Sequence, residues 1–271
     1  MTPSRCVLAR LAPLCAALAA SAAHAEPARS FSFSYADEAL LGATGAKSSW
    51  LHLAGDANRD PLPLVVFLHG LNFVPQKHLW FGGGRADLRP TFERVARTVG
   101  PFLVAAPSQL KDSGAARTLW LDFDLPTFVE ATALAAQAAG HRVDRARVFL
   151  VGHSGAGCSS ETGLFVPMTR DDEIPAAILA IDTCQDEEIG RAAARTNRPV
   201  LFAWQDLEWP RDVLALAHGF EEEAPPFSSF TLEKVAVYGA DAHNAIVPIA
   251  LEEILPRLLA RERARLRAIE R

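Results

Sequence analysis

The chain has 271 residues, with 27 Lys and Arg against 32 Asp and Glu and a formal charge of −5. Hydrophobic residues make up 49% and charged ones 22%, alongside 17 glycines and 18 prolines. This is the balance of a globular domain, not of a disordered, collagen-like or disulfide-dense chain. The mild acidity offers no electrostatic attraction for nucleic acid or an anionic membrane.

The first 25 residues differ in kind from the rest. Arg5 and Arg10 precede an apolar run over 11–20, and Ala23-His24-Ala25 follows it. A charged start, a short apolar stretch and a small-x-small end read as a secretory signal peptide cleaved after Ala25. The run is half the ~20 residues that a membrane span needs. The expectation is an exported protein, periplasmic or extracellular, with one domain over 26–271 and no stable membrane anchor after cleavage. Removal of the leader takes Cys6 and Cys15 and leaves Cys158 and Cys184. An even pair in an exported chain points to one disulfide.

Strand and helix signals then alternate. Phe31–Tyr35 alternates apolar and polar residues, as a half-buried strand does, and Ser49–Leu53 follows. Five runs are continuously apolar: Leu64–Leu68, Phe102–Ala106, Val148–Val151, Ala177–Ile181 and Val200–Trp204. Such strands belong in a parallel sheet covered on both faces. Thr231–Tyr238 reads as a last strand nearer the edge. Helices are expected over about 87–98, from an Asp124 cap with Pro126 in the first turn to Gly140, once within 185–198, and from about Ala245 with a kink at Pro256. Glu221–Pro226 reads as a solvated turn and 261–271 as a charged, solvated end. The fold class is α/β, a three-layer arrangement with a mostly parallel sheet of about eight strands.

The strand at Val148–Val151 runs directly into Gly152-His153-Ser154-Gly155-Ala156-Gly157. This is a nucleophile elbow, a sharp strand-to-helix turn that exposes a serine hydroxyl. Small residues are needed two positions either side, and Gly152 and Ala156 supply them. At this point the chain resembles the α/β-hydrolase superfamily over about residues 31–260. Phe67-Leu68-His69-Gly70-Leu71-Asn72 is its second marker. The resemblance implies that Leu71, with Asn72 as rival, and Gly155 donate backbone N–H groups to an oxyanion hole. It makes His69 structural and places the catalytic base at His243, between the last strand and the last helix.

The same resemblance puts the acid after Val200–Trp204, where Gln205-Asp206-Leu207-Glu208-Trp209 offers two carboxylates. Asp206 is favoured as the closer to the strand end, Glu208 comes second, and Asp182 after the preceding strand stands third. Metal-binding and nucleotide-binding motifs are absent from the sequence, so neither a metal nor an organic cofactor is expected. Phe81-Gly82-Gly83-Gly84-Arg85 reads as a rim loop. The short connection over 185–198 leaves no room for a large cap, so the cleft should be open, with Trp80, Trp120, Trp204 and Trp209 as candidate rim residues. The expected function is cleavage of a carboxylic ester through an acyl-enzyme. An exported amidase or peptidase with the same triad and a non-catalytic binding scaffold are the alternatives.

Overall fold

Along the run Leu62–Leu68, successive side chains enter two different cores. Leu64, Val66 and Leu68 join one cluster, while Val65 and Phe67 join the other. A strand whose two faces are both covered is apolar at every position, because its side chains alternate between faces. The computed structural model describes residues 29–33, 35, 49–57, 61–71, 87–107, 119–120, 123–165, 174–196, 198–208, 212–224 and 230–260. The expected leader, Asn72, Trp80, 81–85, Trp209 and the 261–271 end lie outside these residues.

The strands are β1 (Ser30–Phe33), β2 (Ser49–Ala54), β3 (Leu62–Leu68), β4 (Phe102–Pro107), β5 (Val143–His153), β6 (Ala177–Ile181), β7 (Val200–Trp204) and β8 (Phe230–Lys234). They form one eight-stranded sheet in the order β1-β2-β4-β3-β5-β6-β7-β8. Only the β1–β2 and β2–β4 pairings are antiparallel; the remaining five are parallel. Helices α1 (Arg89–Val99) and α5 (Ala242–Glu253) cover one face, through Phe92, Val95, Ile246 and Leu251. Helices α2 (Leu125–Ala138), α3 (Glu187–Ala194) and α4 (Val213–Glu223) cover the other, through Phe128, Ile189, Leu216 and Phe220. Asp124, Asp186 and Asp212 cap α2, α3 and α4, each accepting backbone N–H bonds of the first turn.

Three expectations need correction. The acidic run Glu221-Glu222-Glu223 is the last turn of α4 and not a free turn. Glu222 and Glu223 pair with Arg191 and Arg195 at the end of α3, which extends the helix into the charged stretch. Helix α5 begins at Ala242, earlier than expected, so His243 is helical. The break expected at Pro256 falls at Ile254, with helical turns resuming over 255–260. A proline ring collides with the carbonyl four residues earlier, so the interruption precedes the proline itself.

Candidate active site

Strand β5 ends at His153, and the chain turns at once into a short 3-10 turn, Ser154–Gly157. Ser154 has φ 54°, a conformation that costs an L-residue steric strain and turns the side chain out of the bend. The bend brings Gly152 against Ala156: a Cβ on Gly152 would stand 3.2 Å from the Ala156 Cβ and 2.8 Å from Leu164. Alanine therefore fits at position 156, while a side chain at 152 would have to displace the Leu164 methyl and crowd Ala156.

The Ser154 hydroxyl lies 2.8 Å from Nε2 of His243. On the other side of the ring, Nδ1 meets Oδ2 of Asp182 at 2.5 Å. When the ring donates from Nδ1 to this carboxylate, Nε2 is left to accept from the serine hydroxyl. Asp182 is completely buried at the end of β6 and has φ 44°. Its backbone N–H donates to Ala203 O (2.7 Å), and its Oδ2 also accepts from Nε2 of Gln205 (3.0 Å).

The carboxylate on the imidazole is thus Asp182, and neither Asp206 nor Glu208 as the chain order had implied. Asp206 is exposed and paired with Lys234, whose ammonium holds it below the usual carboxylate range. Glu208 accepts the backbone N–H of His243 (3.0 Å) and so serves the open N-terminus of α5 instead of the ring. Nε2 of His153 donates to the His243 carbonyl at 2.8 Å, and the two imidazoles lie 4.7 Å apart between centroids. The loop after β7, where the acid was sought, instead supports Asp182: Gln205 bridges Asp182 and the Glu208 carbonyl.

Gly70 closes the site from β3. A Cβ there would lie 2.7 Å from the Ser154 Cβ and 3.3 Å from its Oγ, so only glycine lets the turn pass this close to the serine. Leu71, the expected oxyanion donor, is half-buried and follows directly. His69 is fully buried, its Nδ1–H donating to Gly70 O at 2.7 Å. Burial pushes its imidazole down to about 4, against the opposing pull of that carbonyl.

No family model and no curated relative matches the sequence. Solved structures do match. A thermostable esterase superposes with a TM-score of 0.56 at 19% identity, over 86% of this chain and 62% of that one. An S-formylglutathione hydrolase from Agrobacterium tumefaciens gives 0.56 at 16%, over 86% of this chain and 94% of that one. The chain has the α/β-hydrolase fold. At these identities the likeness is one of architecture, and it leaves the chemistry to the residues themselves.

Cys158 and Cys184 are joined by a disulfide. The bridge ties the turn that follows Ser154 to the turn that carries Asp182. Trp120, expected on the rim, is fully buried; Trp204 is half-buried at the end of β7, with the Lys234 ammonium 5.6 Å from its ring centroid. A second Ser–His–Glu line lies at the β1–β2 edge of the α/β-hydrolase sheet. There Ser30 Oγ is 2.7 Å from Nδ1 of His52, and Nε2 is 3.1 Å from Glu93. His52 Nδ1 also meets the Arg29 carbonyl, and Glu93 accepts the Gly55 N–H, so the line clasps β1 and β2 to α1. On the exposed α3–α4 surface, ligand atoms of Glu187, His218 and Glu222 come within 4.8 Å of one another. Both carboxylates there are engaged by the Arg191 guanidinium, the ordinary arrangement of a surface ion pair.

Proposed function

We propose that the chain is an exported serine hydrolase that cleaves a carboxylic ester through an acyl-enzyme. The observation that carries this reading is the continuous hydrogen-bonded line from Ser154 through His243 to Asp182. A serine hydroxyl at its ordinary pKa is a poor nucleophile, so an adjacent base must take its proton as it attacks. The 2.8 Å approach of Nε2 to the hydroxyl supports His243 in that role. Ser154 Oγ would add to the substrate carbonyl while its proton passes to Nε2, and the carbonyl oxygen would become an oxyanion held by the Leu71 and Gly155 N–H groups. Collapse of that intermediate would send the Nε2 proton to the leaving alcohol and leave an acyl group on Ser154. Water, deprotonated by the same nitrogen, would then release the acid and restore the serine.

Asp182 would fix the tautomer and stabilise the imidazolium that forms in both halves. Buried beside the ring, it acts through a pair shielded from water, where attraction between unlike charges is stronger than at the surface. Export is favoured by the leader-like segment and by the disulfide. Among the described residues no helix is long and apolar enough to cross a membrane.

The test is labelling of purified protein by a fluorophosphonate, with Ser154→Ala alongside. Labelling of the parent alone is expected; labelling of both or of neither would overturn the assigned nucleophile. p-Nitrophenyl esters and matched anilides then decide the acyl class, with faster ester turnover expected and faster anilide turnover pointing to an amidase. The N-terminal sequence of protein recovered outside the cytoplasm should begin at Glu26.

A further inference from the structure

Trp120 is fully buried and has φ 65°. A bulky residue in the left-handed region is an outlier that persists only where its surroundings enforce it. Its surroundings converge on one segment. The indole N–H donates to the carbonyl of His69 at 3.0 Å, and the indole ring packs against the His69 imidazole with centroids 4.8 Å apart. The backbone around it is held in turn by Thr162 Oγ1, which donates to Leu119 O (2.9 Å), and by the Phe123 N–H on Trp120 O (3.1 Å).

We infer that Trp120 is a positioning residue for the oxyanion donor, acting through His69. The reasoning follows the peptide planes. Trp120 fixes the carbonyl of the His69–Gly70 peptide directly and confines the His69 ring by stacking. The ring then fixes the carbonyl of the Gly70–Leu71 peptide through Nδ1–H. In a planar trans peptide the N–H points opposite to the C=O. Holding Gly70 O against the His69 ring therefore aims the Leu71 N–H the other way, with Gly70 lying beside Ser154. A preset donor need not reorganise when negative charge develops, which is where such a group contributes to rate. The unfavourable φ at Trp120 is the local strain that accompanies this placement.

The inference rests on the serine-hydrolase reading, and its test separates the two. Trp120→Phe keeps an aromatic ring and removes the donor. Site-specific replacement of Trp120 by β-(3-benzothienyl)alanine removes only the N–H, at nearly unchanged shape. With a p-nitrophenyl ester, both should lower kcat by about 10- to 100-fold, less than outright loss of an oxyanion donor, while KM stays within about twofold. Affinity for an alkylboronic acid, which forms a tetrahedral adduct on the serine, should fall in step with kcat, a pattern that loss of stability alone does not produce.

A parent protein that neither turns over ester nor takes the fluorophosphonate label would bring down the hydrolase reading and this role with it. An active parent with unchanged kcat in the benzothienyl protein would overturn the positioning role alone. Failure of the benzothienyl protein to fold would overturn it too, since the N–H would then hold the fold and not the turn. Should Trp120→Phe fail to fold, the isostere decides.

Discussion

Ser154 and Asp182 each stand one residue beyond a registered pair, His153 and Ile181, at the ends of neighbouring parallel strands, and both have positive φ. Serine and carboxylate thus leave the sheet side by side through two similarly strained bends, and His243 is laid across them from α5. Asp182→Asn should lower kcat by about 10⁴-fold, because an amide no longer imposes the Nδ1–H tautomer. Asp206→Asn should leave steady-state kinetics within about twofold, since an exposed ion pair contributes little. Equal losses in the two variants would refute the assignment of the acid.

Glu208 supports His243 without touching its ring. Glu208→Ala removes the acceptor of the His243 N–H at the start of α5, at a cost of about 1 kcal/mol as for a lost helix cap. A small fall in melting temperature should accompany a fall in kcat well short of that in Asp182→Asn. Calorimetry and ester kinetics on the same preparations check both.

Gly70 leaves no room beside the serine. Gly70→Ala should fold, since the turn lies at the end of β3, yet the added methyl must push either Ser154 or the Leu71 N–H aside. A loss of about 10²-fold or more in kcat is expected, the size of losing one oxyanion donor. Wild-type turnover by this variant would show that the turn gives way freely.

Cys158 and Cys184 close a loop across the two bends, 26 residues apart in sequence. The contact is tight even without the bond: a Cβ on Gly157 would lie 2.6 Å from Thr183 Cγ2. In the chain-entropy estimate the bridge stabilises by about 3.5 kcal/mol. Reduction, or Cys158→Ser with Cys184→Ser, should lower the melting temperature by about 7–14 °C for a domain of this size. Scanning calorimetry with and without reductant reads this directly.

His69 links pH to stability. Its folded-state pKa of about 4 lies below the unfolded value of 6.5, so the unfolded chain binds the proton more readily. Stability from this group is complete above pH ~6.5 and is lost as pH falls toward ~4, by about 3 kcal/mol in all. Urea unfolding between pH 7 and pH 4 should show this slope, and His69→Phe should flatten it.

Most of the sheet was legible because its interior strands bury both faces. Runs such as Val148–Val151 and Ala177–Ile181 have no polar alternation to blur them. The elbow was legible because Gly152, Ser154 and Ala156 satisfy a steric demand that few sequences meet by chance. The acid was not, because Asp182 and Asp206 both follow an apolar strand at the same end of the sheet. What separates them is backbone torsion and burial, which composition does not carry. One sequence signal did favour Asp182: Cys184 lies two positions past it and its partner Cys158 four past Ser154. Trp120 was misplaced on the rim because nothing in the letters announces a left-handed tryptophan folded inward.

The disulfide has a consequence for how the protein fails. Serine and carboxylate stand on two bends that the disulfide laces together, while the imidazole rides on α5, which packing and hydrogen bonds hold to the sheet. If α5 undocks, the imidazole leaves with it, while the bridge still holds serine and carboxylate side by side. Activity would vanish ahead of bulk unfolding and return on dilution as fast as one helix redocks.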